Sequence, residues 1–370
     1  MAQLLWGIGF GLIGPIWPLF MGDLGATPAD IGLVIGAGTG VAALVILPAG
    51  LLADRIGRRP MVIATSASGM LGALAFLPLT DWHGAFVGAI LYWSAIAGLP
   101  IVTAHVAAVE GRERMGHAMG MVYGAFFAGT ILASPLSGIL AASFGPRVAI
   151  GSAVALFALS TVAVTRISPT RRAADGATRR LGRSFWTLLA VTPVAGLVAQ
   201  LAVPYLPLYL RGHAGVPLEQ VGVYIAIFAF GSALLSALGG RLADRVGPVI
   251  ALVSLASLFA AGALTLAVTS GAVPVALGAL FLGANVAGDP VMAATLQRIL
   301  PAERTAFGYA AFQLTYTAGQ GAGALLGGRL YETDTVLPLL VSAACALPLS
   351  AVVALVVIKM TRRAALAVPT

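Results

Sequence analysis

The sequence predicts an all-α integral membrane protein: twelve transmembrane helices in two pseudo-symmetric six-helix bundles. Three observations predict it. The chain is 59% hydrophobic and only 9% charged, against roughly 25% charged in ordinary soluble domains. Its apolar residues fall into twelve long runs. One charged segment also occurs twice at a constant spacing: Gly50-Leu-Leu-Ala-Asp54-Arg55-Ile-Gly57-Arg58-Arg59-Pro60 recurs as Gly240-Arg-Leu-Ala-Asp244-Arg245-Val-Gly247-Pro248. The same 190-residue shift carries Gly32 to Gly222, Gly98 to Gly288, Pro100 to Pro290, Arg114 to Arg304 and Gly138 to Gly328. Equal internal spacing on this scale marks two similar halves.

A helix needs about 20 mainly apolar residues to cross the bilayer core. The twelve runs lie near 2–21, 31–53, 60–80, 84–108, 118–142, 146–166, 186–209, 218–242, 248–269, 272–297, 306–330 and 336–359. Their length and continuity favour helices over barrel strands, which alternate and are about half as long. The first run lacks a basic start and a small-residue cleavage site, so it is expected to be a retained helix and not a signal peptide. The second run opens with Thr27-Pro28-Ala29-Asp30, a cap residue, a proline at the first helical position and a first-turn carboxylate. The eighth opens with Val216-Pro217-Leu218-Glu219, without the hydroxyl cap. The 46 glycines cluster inside runs, where small residues let helix backbones approach closely.

The repeat divides the chain into 1–166 and 186–360, joined by a polar linker at 167–185 and followed by a short tail at 361–370. Of the 21 Lys and Arg, all but Arg147, Arg211 and Arg329 fall on the side of the Arg55–Arg59 loop or on helix ends facing it. That asymmetry places the loop, the linker, the tail and both termini in the cytoplasm of a cell or inner membrane. It also accounts for the net charge of +8 as a topology signal, so no nucleic-acid partner is expected. The single Cys345 and four scattered histidines give no disulfide and no metal cluster. No Gly-Lys-Ser/Thr phosphate loop is present, and no nucleophile or acid–base cluster points to an enzyme. No cofactor is expected.

Twelve runs in two halves, with the 50–60 motif between the second and third, resemble the major facilitator superfamily of secondary transporters. The resemblance covers essentially the whole chain and implies alternating access by rocking of two parallel halves around a midplane site. Pro15-Ile-Trp-Pro18 and the fifth-run stretch Gly129-Thr-Ile-Leu-Ala-Ser-Pro135-Leu-Ser-Gly138 are similar to the drug:proton antiporter branch. Ser134 and Ile139 depart from that signature, and Ser94 precedes Gly98 where efflux members usually carry an arginine.

The resemblance implies a latch in which Gly50, Asp54, Arg55, Gly57, Arg58 and Arg59, with Asp244 and Arg245 in the second half, hold the halves in one state. Asp54 would meet the start of the eleventh helix and Arg114, and the arginines would anchor at headgroups. A solvated turn that only sets topology is the plainer alternative. The family's first, fourth, seventh and tenth helices line the cavity, which puts His105 and Asp289 beside it; ionisable residues inside a span are costly and point to function. A desolvated carboxylate can hold a proton near neutral pH, so Asp289, with Asn285 one turn earlier, is the candidate coupling site. The alternative is an Asp bonded to local backbone at the Gly288–Pro290 bend. His105 is more simply a structural histidine.

Tyr309, Gln313, Tyr316 and Gln320 share one helical face; the shifted face in the fifth run is Met119, Tyr123, Phe126 and Thr130. With Trp93, Gln200 and Tyr205 they suggest an aromatic, amide-lined cavity suited to an amphipathic organic solute, or else interhelical packing. Gly129, Pro135 and Gly138 form a helix-packing motif. The expected protein is therefore a monomeric exporter of small amphipathic organics coupled to protons and embedded in lipid. A carrier of one specific metabolite is the alternative, and a non-transporting receptor or scaffold a more distant one.

Overall fold

The computed structural model describes residues 1–168, 183–300 and 305–366. The described chain is helical throughout, without a strand. Ten helical segments are long and apolar enough to cross a membrane: Ala2–Asp23, Pro28–Ile56, Ala85–Val106, Ala118–Phe144, Pro146–Val164, Phe185–Gly212, Leu218–Val246, Pro248–Val268, Ala272–Leu296 and Leu337–Met360. The remaining two expected spans are also helices, Arg58–Ala75 and Thr305–Thr333. The first carries Arg58 and Arg59, and the second the polar stripe and Glu332, which lowers their hydropathy. Numbered in chain order, these are spans 1 to 12. Leu44, Leu132, Phe144 and Val273 stand exposed on their outer surfaces, an apolar coat that only lipid would cover.

The repeat is visible in the backbone. Span 2, Pro28–Ile56, and span 8, Leu218–Val246, are both 29 residues long and coincide under the 190-residue shift. Each is preceded by a glycine at positive φ, Gly25 (87°) and Gly215 (66°), and followed by another, Gly57 (104°) and Gly247 (99°). Side chains rarely adopt that backbone. Gly57 and Gly247 of the duplicated motif are therefore demanded by the turn that reverses the chain between spans 2 and 3 and between spans 8 and 9.

Three elements differ from expectation. Backbone is helical at every residue from Gly98 to Phe144, where a loop is expected between spans 4 and 5. Gly88 packs on Phe76, and Arg147 bonds the carbonyls of Leu77 and Leu79. The start of span 4 and the end of span 5 thus share one membrane face, and the chain turns back within this stretch. Of the expected linker, residues 169–182 lie outside the described residues, and the helix of span 7 begins at Arg183. The helix of span 12 continues to Leu366, into the expected tail.

One face of the bundle carries Arg55, Arg58, Arg59, Arg241 and Arg245, and the other carries Asp23, Asp30, Asp81, Glu219 and Glu332; they are the basic end and the acidic end below. Spans 2 and 11, and spans 5 and 8, join the halves. A Cβ on Gly32 would lie 2.5 Å from the Ala324 carbonyl oxygen, one on Gly328 would lie 2.4 Å from that of Pro28, and one on Gly222 would lie 1.8 Å from that of Ser134. Gly321 meets Thr39 and the Gly36 carbonyl. In lipid, such close backbone approach replaces the hydrophobic effect as the cohesive term. Towards the basic end, Ala310 and Leu314 of span 11 pack against the first-half cluster that contains Ile46, Ala49 and Ala53, without comparably close backbone approach. The halves are sealed at the acidic end.

Candidate functional site

Four spans are interrupted near mid-depth. Span 1 breaks between Ile13 and Trp17; span 4 has a 3₁₀ turn at Ala95–Ala97. Span 7 breaks after Gln200, with a second 3₁₀ turn at Val203–Tyr205, and span 10 breaks at Gly283 between Ala272–Leu282 and Ala284–Ile299. Pro15, Pro18, Pro204 and Pro207 account for the breaks in spans 1 and 7, since proline removes a backbone donor and crowds the preceding turn. Broken helices free backbone carbonyls and amides beside the gap, the arrangement that builds solute sites in transporters.

Asp289 sits nearly two turns beyond the break in span 10, half-buried, with Asn285 on the same face. Electrostatically it faces Tyr309 and Tyr316 of span 11 and Tyr123 of span 5. Tyr123 of the first half and Tyr309 of the second lie close enough to influence one another electrostatically. Asp289 makes no side-chain hydrogen bond to local backbone among the described residues, unlike the structural alternative weighed from sequence. An unneutralised carboxylate inside a bundle is costly unless a proton or a cationic ligand accompanies it.

Around this cluster, Gln313 is 4% exposed, and its Nε2 donates to the Thr317 hydroxyl at 3.5 Å while Oε1 has no partner. Phe312 and Tyr316 stack, with centroids 5.8 Å apart. Gln320 and Gln200 are half-buried. Trp93 meets Trp17 edge-on at 5.4 Å, Phe126 packs on Phe10 at 5.5 Å, and Tyr92 contacts Trp93 and Phe157. The indole Nε1 of Trp17, like Gln313 Oε1, is buried without a partner. Trp17 lies outside the cavity residues expected from sequence, and its place directly before Pro18, at the helix break, is the signal that marks it.

Other expected residues lie elsewhere. The structure removes Tyr205 from a cavity lining: it is 1% exposed, its hydroxyl donates to the Ala324 carbonyl, and its ring stacks on Tyr331. It thereby becomes part of the acidic-end seal. His105 sits at the basic end beside the Arg58 guanidinium, in the region expected for a structural histidine.

In the 50–60 motif, Gly50 meets no neighbour, while Asp54 and Arg55 are exposed. Asp54 makes no ion pair among the described residues; the side chain of Arg114 and residues 301–304 lie outside them. Asp244 and Arg245 are exposed as well, and Asp244 is engaged in an interaction. Arg58 and Arg59 do not reach out towards headgroups. Both are half-buried, Arg58 donating to the Ala104 carbonyl at 3.1 Å and Arg59 to that of Thr165. They tie the start of span 3 to spans 4 and 6, because a guanidinium can satisfy helix-end carbonyls that nothing else reaches.

The fifth-span run packs on both sides. Gly129 lies against Leu4, Gly7 and Ile8 of span 1, and Ser137 donates to the Leu12 carbonyl at 2.5 Å. Ser134, Pro135 and Gly138 face Gly222, Leu218 and Glu219 of span 8. The run is therefore a two-sided seam, joining span 5 to its own half and to the other.

Residues 1–195 and 188–369 each match the family model described as Major Facilitator Superfamily. A multi-drug resistance efflux pump PmrA homolog of Lactococcus lactis is 26% identical over 349 residues, covering 88% of this chain and 85% of the relative. Multi-drug resistance efflux pump PmrA of Streptococcus pneumoniae is 28% identical, and the match spans 66% of the length of either protein. Multidrug resistance protein MdtG of Dickeya zeae is 31% identical over 67% of this chain and 66% of its own. Among solved structures, nucleoside transporter NupG superimposes with a TM-score of 0.74 at 14% identity, covering 97% of this chain and 98% of that one. The human organic anion transporter MFSD10 does so at 0.67 and 16%, covering 97% of both chains.

Proposed function

This chain belongs to the Major Facilitator Superfamily, and we propose that within it the protein exports small amphipathic organic compounds in exchange for protons. The basic end faces the cytoplasm, following the positive-inside rule, and both termini lie on that side. The halves 1–166 and 186–360 rock as units about the broken spans, joined by 167–185, with 361–370 as a cytoplasmic tail. The closest backbone contacts between the halves lie at the acidic end.

One observation carries this reading: Asp289, the carboxylate within a broken span, lies within electrostatic range of tyrosines from both halves. A group placed there senses both the state of the gap and the charge of what fills it. The surrounding tryptophans, tyrosines and glutamines offer flat apolar faces and neutral hydrogen-bonding groups, the lining that suits amphipathic solutes. The relatives named as multidrug efflux pumps support the same class of substrate.

The test is purified protein in liposomes with an imposed pH gradient and a lipophilic cationic dye. Dye flux driven by the gradient and abolished by a protonophore is the expected result. Flux indifferent to the protonophore would refute proton exchange. A second reading, transport of one specific metabolite, draws on Ser94, whose hydroxyl donates to the Ile90 carbonyl at 2.6 Å where efflux members usually carry an arginine. It requires that unrelated dyes fail to compete with one another.

The 50–60 motif adds a second expectation. Asp54→Ala removes the carboxylate proposed to close the basic end against the start of span 11, so cysteine probes along the basic-end parts of spans 5 and 11 should alkylate faster. A rise of roughly threefold corresponds to losing one terminal charge–dipole interaction. Unchanged alkylation would leave the motif a topology signal.

A further inference from the structure

We propose that Glu332 is a latch on the acidic end, holding the halves closed by capping the helix of span 2 from the opposite half. The inference rests on the alternating-access reading above. The start of span 2 leaves one donor for it. Pro28 has no amide hydrogen. The capping box joins the Asp30 amide to the Thr27 hydroxyl at 3.2 Å and the Thr27 amide to the Asp30 carboxylate at 2.9 Å. Of the first helical turn, that leaves the Ala29 amide, and it donates to Glu332 Oε1 of span 11 at 3.0 Å, across the boundary between the halves. The first amides of a helix have no partner within the helix, and its positive end favours a carboxylate.

The approach that makes the bond possible comes one turn earlier, where Gly328 lies against the Pro28 carbonyl and the Ala29 Cα. Tyr205 closes the same corner with its bond to Ala324. The repeat does not duplicate the device: position 332 less 190 is 142, and Ala142 stands there. Span 8 begins at Leu218 with no side-chain cap, and Gly138 packs against it instead. Spans 2 and 11 thus carry opposed carboxylates. Asp54, at the end of span 2, is the carboxylate the proposed basic-end latch assigns to the start of span 11; Glu332, at the end of span 11, holds the start of span 2 at the acidic end. Only one of the two can be engaged as the halves rock, so releasing Glu332 is part of opening outward.

The test uses full-length protein in lipid nanodiscs, with Cys345 replaced by serine and spin labels at His83→Cys and Ser270→Cys, one exposed acidic-end position in each half. Glu332→Ala should raise the long-distance population roughly threefold over its parent, with Glu332→Gln, which keeps an acceptor and loses the charge, in between. Gly328→Trp, a wedge in the same corner, serves as the control that forces the end apart. A long distance with the wedge but an unchanged distribution in Glu332→Ala would overturn the latch. No long distance even with the wedge would overturn the rocking motion itself, and the latch with it. Melting temperature separates a shifted population from a damaged fold: the Glu332 variants should melt with their parent.

Discussion

Asp289→Asn should abolish dye accumulation driven by a pH gradient while leaving dye-for-dye exchange in place. Asparagine preserves the shape and polarity of the side chain, so the tyrosines of spans 5 and 11 within its electrostatic range keep a neighbour of the same size. It cannot take up or release a proton. If proton coupling runs through this residue, the gradient loses its grip on the cycle, and flux should fall by roughly two orders of magnitude, equivalent to about 2.7 kcal/mol of lost coupling. Exchange of dye for dye needs no net proton movement and should stay within about threefold of the parent, a difference of about 0.6 kcal/mol. Gradient-driven flux equal to the parent's would remove Asp289 from the mechanism. Loss of both activities in a well-folded variant would make it a solute-binding residue and not a coupling one.

The second large effect separates contacts between the halves from contacts within one. A Cβ on Gly222 would lie 1.8 Å from the Ser134 carbonyl oxygen, and one on Gly319 would lie 1.9 Å from that of Pro193. The clashes are nearly equal, and both meet backbone. Gly222 and Ser134 belong to opposite halves, whereas Gly319 and Pro193 belong to the same half. Gly222→Val can therefore escape its clash by leaving the acidic end open, with little loss of stability. Gly319→Val has no such escape and must strain or separate spans 7 and 11, at a cost of roughly 1–3 kcal/mol or more. Gly222→Val should melt close to wild type yet lose net transport, with basic-end cysteines alkylating more slowly. Gly319→Val should accumulate poorly and melt lower. Equal destabilisation of the two would contradict a seam that opens and shuts.

Much of this architecture is legible in the residues. The 190-residue repeat locates spans 2 and 8, expected near 31–53 and 218–242, and the turn glycines at both ends of each explain why the helices run on to Pro28–Ile56 and Leu218–Val246. Thr27 and Asp30 announce the cap they form. The polar stripe on span 11 lies inside the bundle, with Tyr309, Gln313 and Tyr316 buried, as the cost of polar groups in lipid requires.

What stays illegible is which distant backbone a side chain meets. Arg58 and Arg59 look like headgroup anchors in a basic loop, yet their acceptors lie 46 and 106 residues away. Tyr205 belongs to a helix of the cavity wall but spends its hydroxyl on Ala324, 119 residues on. Glu332 reads as a surface charge near a helix end until its partner, 303 residues earlier in the chain, is placed beside it. Periodicity tells which face of a helix is buried; it carries no record of the carbonyl that waits there. The helical connection between spans 4 and 5 was hidden for a related reason, since Gly111 and Gly116 within it look like loop residues.

The most direct measurement of the central idea takes two distances from one protein. Spin labels at Ile56→Cys and Val246→Cys report the basic end, and labels at His83→Cys and Ser270→Cys the acidic end, each pair in an otherwise cysteine-free protein in nanodiscs. As pH and dye are varied, the two distributions should move in opposition, the basic end closing as the acidic end opens. Pairs that lengthen together, or that hold still while the same samples transport, would contradict a site exposed to one side at a time.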